Sequence, residues 1–295
     1  GLRSLGVESG QNVAILSNNS PRWAMSDYGI IYSGAATVSI YPTLIPSQIE
    51  NILNDSESSL IFIEDQEQFE KIKSIWSNCP SLKNIVILDN SDTGDAENVS
   101  TFDAFIEKGS DFSQSSDLTF DSLVNTAIPS DLLTLIYTSG TTGNPKGVLY
   151  SHRSTILHAT AIAGALSFNS SSAILPVVPM FHVNAWGVPY AALINGFTLV
   201  LPGHALDGKS LFELIQQESV DSLLGVPTVW LGLLQYLEGK GLTMDSVNQV
   251  LVGGSAAPYA MIKAFDEQHD AFLTHGWGMT EMSPLGTINA PTKKT

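Results

Sequence analysis

The chain has 295 residues, of which 43% are hydrophobic, enough to bury one large core or two smaller ones. Lys and Arg number 13 against 29 Asp and Glu, giving a formal charge of −16 and a pI near 4.5. That balance excludes binding of nucleic acid or an anionic membrane by bulk charge, while leaving room for a small basic site that holds a phosphate.

Cys79 is the only cysteine, so no intrachain disulfide can form. A small, semi-buried apolar role for it and a reducing, cytoplasmic setting are expected. No stretch approaches the ~18–20 apolar residues of a membrane span, and no basic-then-apolar signal segment opens the chain. Residues 1–7 read like the tail of a helix already under way, and the last residues close no element. A piece of a longer protein is therefore expected.

Residues 12–16 form a short apolar strand. Ser20 followed by Pro21 marks a helix start, with Ala24, Tyr28 and Ile31 recurring at helical spacing. A second strand spans 36–40. Ser47-Gln48-Ile49-Glu50 has capping-box spacing and opens a helix to about Asn54. A strand at 60–63, a helix at 66–76 and a strand at 84–88 follow. Such alternation predicts an α/β fold of βα repeats, with parallel sheets covered by helices.

Residues 89–121 then hold nine acidic side chains against Lys108 alone, a local charge of −8. This stretch reads as a solvated connection with one short helix near 102–106. Three segments result: a first βα segment at 1–88, an acidic linker-like insertion at 89–121, and a segment at 122–295 that carries the chemistry. In the last, strands are expected at 132–137, 172–177, 197–201, 222–226, 249–252 and 272–275. Helices are expected near 151–166, 185–194, 210–217, 228–237 and 258–267.

The strongest signal is Tyr137-Thr138-Ser139-Gly140-Thr141-Thr142-Gly143-Asn144-Pro145-Lys146-Gly147-Val148. Three glycines permit tight curvature, so that successive N–H groups can converge on an anion. Thr138, Ser139, Thr141 and Thr142 add donors, and Lys146 adds a point charge suited to phosphate. The common NTPase loop needs Gly-Lys-Ser/Thr, whereas here Pro145 precedes the lysine and Gly147 follows it.

This segment resembles the phosphate-binding loop of the adenylate-forming (AMP-binding) superfamily. Two more segments match in order: Gly253-Gly254-Ser255-Ala256-Ala257-Pro258 and His275-Gly276-Trp277-Gly278-Met279-Thr280-Glu281. The resemblance implies the incomplete large N-terminal domain of such an enzyme, with the small C-terminal domain absent. It also implies ATP-dependent activation of a carboxylic acid to an acyl-adenylate, then thioester formation with coenzyme A. Thr138, Ser139, Gly140, Thr141, Thr142, Gly143 and Lys146 would then hold the phosphates. Gly254, Ser255, Ala256, His275, Gly276, Trp277, Gly278 and Met279 would line the nucleotide. Thr280 would reach the α-phosphate, and Glu281 would ligate Mg²⁺, as a hard oxygen donor should.

Pro179-Met180-Phe181-His182-Val183-Asn184-Ala185-Trp186-Gly187 is similar to the fatty-acyl form of the family's substrate motif. It contains no acidic residue that could pair a substrate ammonium. By the resemblance, His182 positions the acyl carboxylate, Trp186 lines or gates the acyl site, and Val183, Gly187 and Gly254 contribute to it. The combined motifs resemble medium-chain and methylmercaptopropionyl-CoA ligases. The implied partners are a small carboxylic acid, ATP and coenzyme A, with no nucleic acid and with a homodimer as the assembly allowed for. Loading of a carrier-protein thiol instead of coenzyme A remains an alternative. So does a catalytically silent piece, because the family's ribose-binding acid, hinge and mobile lysine lie beyond this chain.

Overall fold

The computed structural model describes residues 1–92, 96–138 and 145–289. They fall into two compact units, Gly1–Thr155 and Ile156–Thr295.

The strands of the first unit are β1 (Asn12–Leu16), β2 (Ala36–Ile40), β3 (Leu60–Ile63), β4 (Asn84–Ile87), β5 (Val99–Thr101), β6 (Leu132–Thr138) and β7 (Lys146–Ser151). They form one sheet in the order β5-β4-β3-β1-β2-β6-β7. Every pairing is parallel except that of β6 with β7. Strands β2 and β3 are buried along their whole length. Full burial lets β3 read as a continuous apolar run, Leu60-Ile61-Phe62-Ile63, whereas β2 buries Thr37 and Ser39 between its apolar residues.

Helices α1 (Pro21–Tyr32), α2 (Pro46–Asp55), α3 (Gln66–Ile75), α4 (Phe102–Ser115) and α5 (Phe120–Val124) connect these strands, and α6 (His152–Ala165) follows β7. Ile49 and Ile52 of α2 and Phe69 and Ile72 of α3 share a core with Val38 and Ile61 of the sheet. Cys79 belongs to the same core and is fully buried, as a small apolar residue would be.

Helix α1 starts where Ser20 and Pro21 indicate: Ser20 Oγ accepts from Trp23 N at 3.1 Å. Helix α2 starts differently from expectation. Its N-cap is Ile45, with Pro46 at the first helical position, and Ser47 lies inside the first turn. Only the reciprocal half of a capping box survives, Gln48 Oε1 accepting from Ile45 N at 3.3 Å. Proline at the first helical position outweighs serine there, because its φ is already helical and its missing N–H costs nothing. The opening residues form a 3-10 turn, Arg3–Leu5, closed by Gly6 at φ 79°.

The acidic stretch holds more structure than its composition indicates. Helix α4 runs to Ser115, and strand β5 precedes it. Phe102 and Phe105 are buried, and Phe105 meets Phe62 of β3 edge-on at 5.3 Å. The Arg22 guanidinium lies 5.2 Å from the centre of the Phe102 ring and pairs with Asp103 at 3.2 Å. Two aromatic rings on one helical face are enough to dock the helix, while its acids stay in water.

The second unit repeats the pattern. Strands β8 (Ala173–Pro176), β9 (Thr198–Leu199), β10 (Ser222–Gly225), β11 (Gln249–Val252), β12 (Phe272–Gly278) and β13 (Leu285–Ile288) lie in the order β13-β12-β11-β10-β8-β9. Only β12 and β13 pair antiparallel. The helices are α7 (Val183–Trp186), α8 (Val188–Asn195), α9 (Gly208–Glu218), α10 (Pro227–Lys240) and α11 (Tyr259–His269). Trp230, Leu233, Phe265 and Val250 are fully buried in its core. Gly225 has no room for a Cβ, because the Trp230 indole and Val177 fill that space. Among the described residues no helix is long and apolar enough to cross a membrane.

The α1 and α2 caps give a paired prediction. Ser20→Ala should cost about 1 kcal/mol, the usual value of a lost N-cap acceptor. Ser47→Ala should stay within about 0.5 kcal/mol of wild type. Urea midpoints of the two variants decide it, and equal losses would refute the assignment of the caps.

Candidate functional site

Parallel strands deliver their carboxyl ends to one edge of a sheet, and the loops that leave that edge are where such sheets bind ligands. In the second unit β8, β10, β11 and β12 all end there. The segments that emerge include 177–187 after β8 and 253–258 after β11, and β12 itself runs on into 275–278. These are the segments the sequence singles out.

They touch. The Trp186 indole lies against the bare backbone of Gly253: a Cβ there would sit 3.0 Å from the ring's Cη2 and 3.5 Å from the Gly276 carbonyl oxygen. His275 Nε2 is 3.3 Å from the Ser255 carbonyl oxygen. Gly254, Ser255 and Ala256 are exposed, with Gly254 at φ 79°. A Cβ at 253 would press on the indole, and glycine at 254 suits its left-handed backbone conformation.

Segment 183–187 is the longest run of positive φ among the described residues. Val183, Asn184, Ala185, Trp186 and Gly187 all have positive φ, from 48° to 74°. A continuous right-handed helix over 185–194 was expected. Instead the chain makes a left-handed turn, reverses at Gly187, and starts α8 at Val188. A left-handed conformation costs roughly 1–2 kcal/mol for each L-residue with a Cβ. Strain of this kind persists where surrounding contacts over-determine it. Two contacts do so here. Ala185 N donates to the Pro179 carbonyl at 3.1 Å. His158, on α6, meets the Trp186 carbonyl through Nε2 at 2.7 Å. Its ring fills the space beside Gly187, where a Cβ would lie 2.5 Å from Cδ2.

Burial lowers the pKa of His158, partly opposed by the Trp186 carbonyl, and burial lowers that of His182 as well. Both imidazoles are therefore held neutral, and His158 serves as a donor to the carbonyl. His158 was missed in the sequence because only the fold brings α6 to this turn. Asn184 and Gly187, two residue types that tolerate left-handed backbone, were the available hint.

Thr280 is buried at the head of a 3-10 turn, Thr280–Met282, and the Glu281 side chain is exposed. Met279 N donates to the Pro284 carbonyl at 3.0 Å, closing the loop. Gly278 must lack a side chain, since a Cβ would collide with that same carbonyl. The Trp277 ring covers Gly286 and leaves 58% of the residue exposed. A flat aromatic face at a sheet's carboxyl edge is suited to stacking on a planar ligand. Among the described residues no group of three or more His, Cys, Asp or Glu could hold a metal.

In the first unit, Thr138 ends β6 and Lys146 begins β7, the two facing each other across the antiparallel pair. Lys146 is exposed. Ser139, Gly140, Thr141, Thr142 and Gly143 lie outside the described residues. Strand β7 itself was not expected, since it is an edge strand with Leu149 facing water and no alternation to betray it.

The model of the AMP-binding enzyme family matches residues 1–295. This chain belongs to the AMP-binding enzymes. It is 39% identical over 295 residues to a medium-chain-fatty-acid–CoA ligase of Ectopseudomonas oleovorans, covering 98% of the chain and 52% of that protein. Identity is 38% over 301 residues to a 3-methylmercaptopropionyl-CoA ligase of Ruegeria pomeroyi, covering 99% of the chain and 53% of that protein. Among solved structures, the inhibitor-bound N-terminal domain of FACL13 from Mycobacterium tuberculosis superposes with a TM-score of 0.82 at 26% identity, over 97% of the chain and 67% of that structure. The AMP-binding chain spans about half the length of the curated relatives it matches.

The left-handed turn yields a prediction. Gly187→Ala should destabilise the AMP-binding chain by at least about 1 kcal/mol, from the positive φ alone. The collision with His158 adds to that, so His158→Ala should relieve part of the loss in the double variant. Denaturation midpoints of the singles and the double test this, and simple additivity would refute it.

Proposed function

We propose that this chain carries the adenylating part of an ATP-dependent acid–thiol ligase acting on aliphatic carboxylic acids of short or medium length. The observation that carries the reading is the packing of Trp186 on Gly253, whose own segment meets His275 through the Ser255 carbonyl, so that the acyl motif joins both nucleotide motifs of the second unit. Val177, Val178, Val183, Ala185 and Val188 around that motif are buried and apolar, in keeping with an alkyl chain and not an amino acid. The names of the two curated relatives support the same acid class.

In the first step a carboxylate oxygen attacks the α-phosphorus of ATP, and pyrophosphate leaves. In the second, the coenzyme A thiol attacks the acyl carbonyl and AMP leaves. The first step brings one anion onto another, so the protein's task is positioning and positive charge. We assign Lys146, with the hydroxyls and N–H groups of 138–143, to the β- and γ-phosphates. Thr280 is assigned to the α-phosphate and His182 to the acyl carboxylate. The Trp277 face, with 254–256 and 275–279, is assigned to the adenine and its surroundings.

Mg²⁺ is the cofactor this reading calls for. The Glu281 carboxylate is exposed and enters no ion pair among the described residues. A single free carboxylate fits an ion that is commonly held by one or two carboxylates together with substrate phosphates. When bound, the ion would offset phosphate charge. A cytoplasmic location and a homodimer complete the reading, the first supported by the lone buried cysteine.

The test is pyrophosphate exchange by the full-length protein with C2–C18 acids. Lys146→Ala and Glu281→Ala should each lose about 2–4 kcal/mol of transition-state stabilisation, a fall of roughly 30- to 1,000-fold. Wild-type exchange in both variants would overturn these assignments. Trp186→Ala should move the preferred acyl length while leaving the ATP Michaelis constant nearly unchanged. A collapse of ATP use with an unaltered length profile would make Trp186 structural.

A further inference from the structure

Tyr137 is the residue before Thr138 on β6, and its ring is buried. Across the strand pair it faces Gly147, the neighbour of Lys146. The ring lies beside that glycine: a Cβ on Gly147 would be 3.4 Å from Cζ and 3.6 Å from the hydroxyl oxygen. The hydroxyl donates to Asp55 Oδ2 at 2.7 Å. Asp55 is the last residue of α2, whose C-cap is Ser56, and Asn12 Nδ2 of β1 holds the Ser56 carbonyl at 2.7 Å. The phenol is thus fixed at its far end to a helix terminus that is itself fixed to the central strand of the sheet.

Burial first, and Asp55 second, push the Tyr137 pKa well above its ordinary value. The group stays a neutral donor at any working pH.

Strand β7 is an edge strand held on one side only, so its register against β6 rests on that single ladder and on what clamps it. We infer that the Asp55–Tyr137 hydrogen bond is a positioning device for Lys146: it pins the ring against Gly147 and so fixes the Thr138–Lys146 pair from which the lysine projects. Neither residue touches the phosphates in this account. Their effect runs through the strand pair, and this inference rests on the assignment of Lys146 to ATP.

The experiment uses the full-length protein with Tyr137→Phe, Asp55→Ala, Asp55→Asn and the double variant Tyr137→Phe/Asp55→Ala. One net hydrogen bond sets the scale, so the ATP Michaelis constant should rise roughly 3- to 10-fold in the first two. The Michaelis constant for the acid and the acyl-length profile should not move. Asp55→Asn keeps an acceptor oxygen and should restore wild-type behaviour. The double variant should be no worse than either single, since both remove the same bond. Amide hydrogen exchange at 146–148 should quicken in Tyr137→Phe and Asp55→Ala, a readout independent of turnover. An unchanged ATP Michaelis constant together with unchanged exchange at 146–148 would overturn the inference, as would additive effects in the double variant. If the exchange rates respond as expected while Lys146→Ala leaves ATP use untouched, the positioning holds and the role given to the lysine fails.

Discussion

Parallel pairing in the six-stranded sheet is the constraint on which the second unit's site depends. With β8, β10, β11 and β12 running the same way, each strand releases its loop at one edge. The glycines there follow from crowding. An indole against Gly253, a carbonyl against Gly278 and a tryptophan against Gly286 each occupy the volume of a missing side chain. With no side chain at 286, the Trp277 ring lies directly on the backbone of β13 and stays largely exposed.

The left-handed turn at 183–187 follows from the same demand. A right-handed helix continued from β8 would have set Trp186 on another azimuth. Four residues with side chains accept an unfavourable backbone, at a combined cost of several kcal/mol. His158 offsets part of it with one hydrogen bond to a carbonyl that the turn leaves outside any helix ladder. A net contribution of about 1 kcal/mol from that bond is too small to balance the cost alone. The buried side chains of Val183 and Ala185 must supply the rest. At roughly 25 cal/mol per Å² of apolar surface, two such side chains bring a few kcal/mol, which is the right size.

Much of this was legible in the residues. Strands β1, β3 and β4 are legible as apolar runs, β2 as alternating Ala36, Val38 and Ile40, and α1 through Ser20 and Pro21. The phosphate-loop motif stands out because three glycines, four hydroxyls and a lysine crowd into one short window after a strand, and the other two segments are recognised by their resemblance to the adenylate-forming superfamily. What stayed hidden has a common cause. Strands β5, β7 and β13 are half-exposed edge strands whose existence depends on a neighbour and not on their own pattern. Composition predicts a short helix for α4 because nine acids outweigh four phenylalanines in residues 89–121, whereas in the fold the two rings of Phe102 and Phe105, meeting Arg22 and Phe62, decide the matter. The tie from Tyr137 to Asp55 joins positions 82 apart and leaves no local trace.

The charge distribution bears on how an acidic chain accepts an anionic substrate. A formal charge of −16 opposes the approach of a nucleotide from a distance. Half of that charge falls in residues 89–121, most of it near β5 and along α4. Strand β5 is one edge of the seven-stranded sheet and β7, with Lys146, is the other. Six strand spacings of about 4.8 Å separate them, roughly 29 Å in all. The Debye length at physiological salt is about 8 Å, so acids clustered at the β5 edge are screened by more than three such lengths before their field reaches the lysine. Sheet order therefore keeps the acids beside β5 from cancelling the one cation in the phosphate-loop motif, while those on α4, which docks over Phe62 of β3, lie nearer but stay exposed to water and salt.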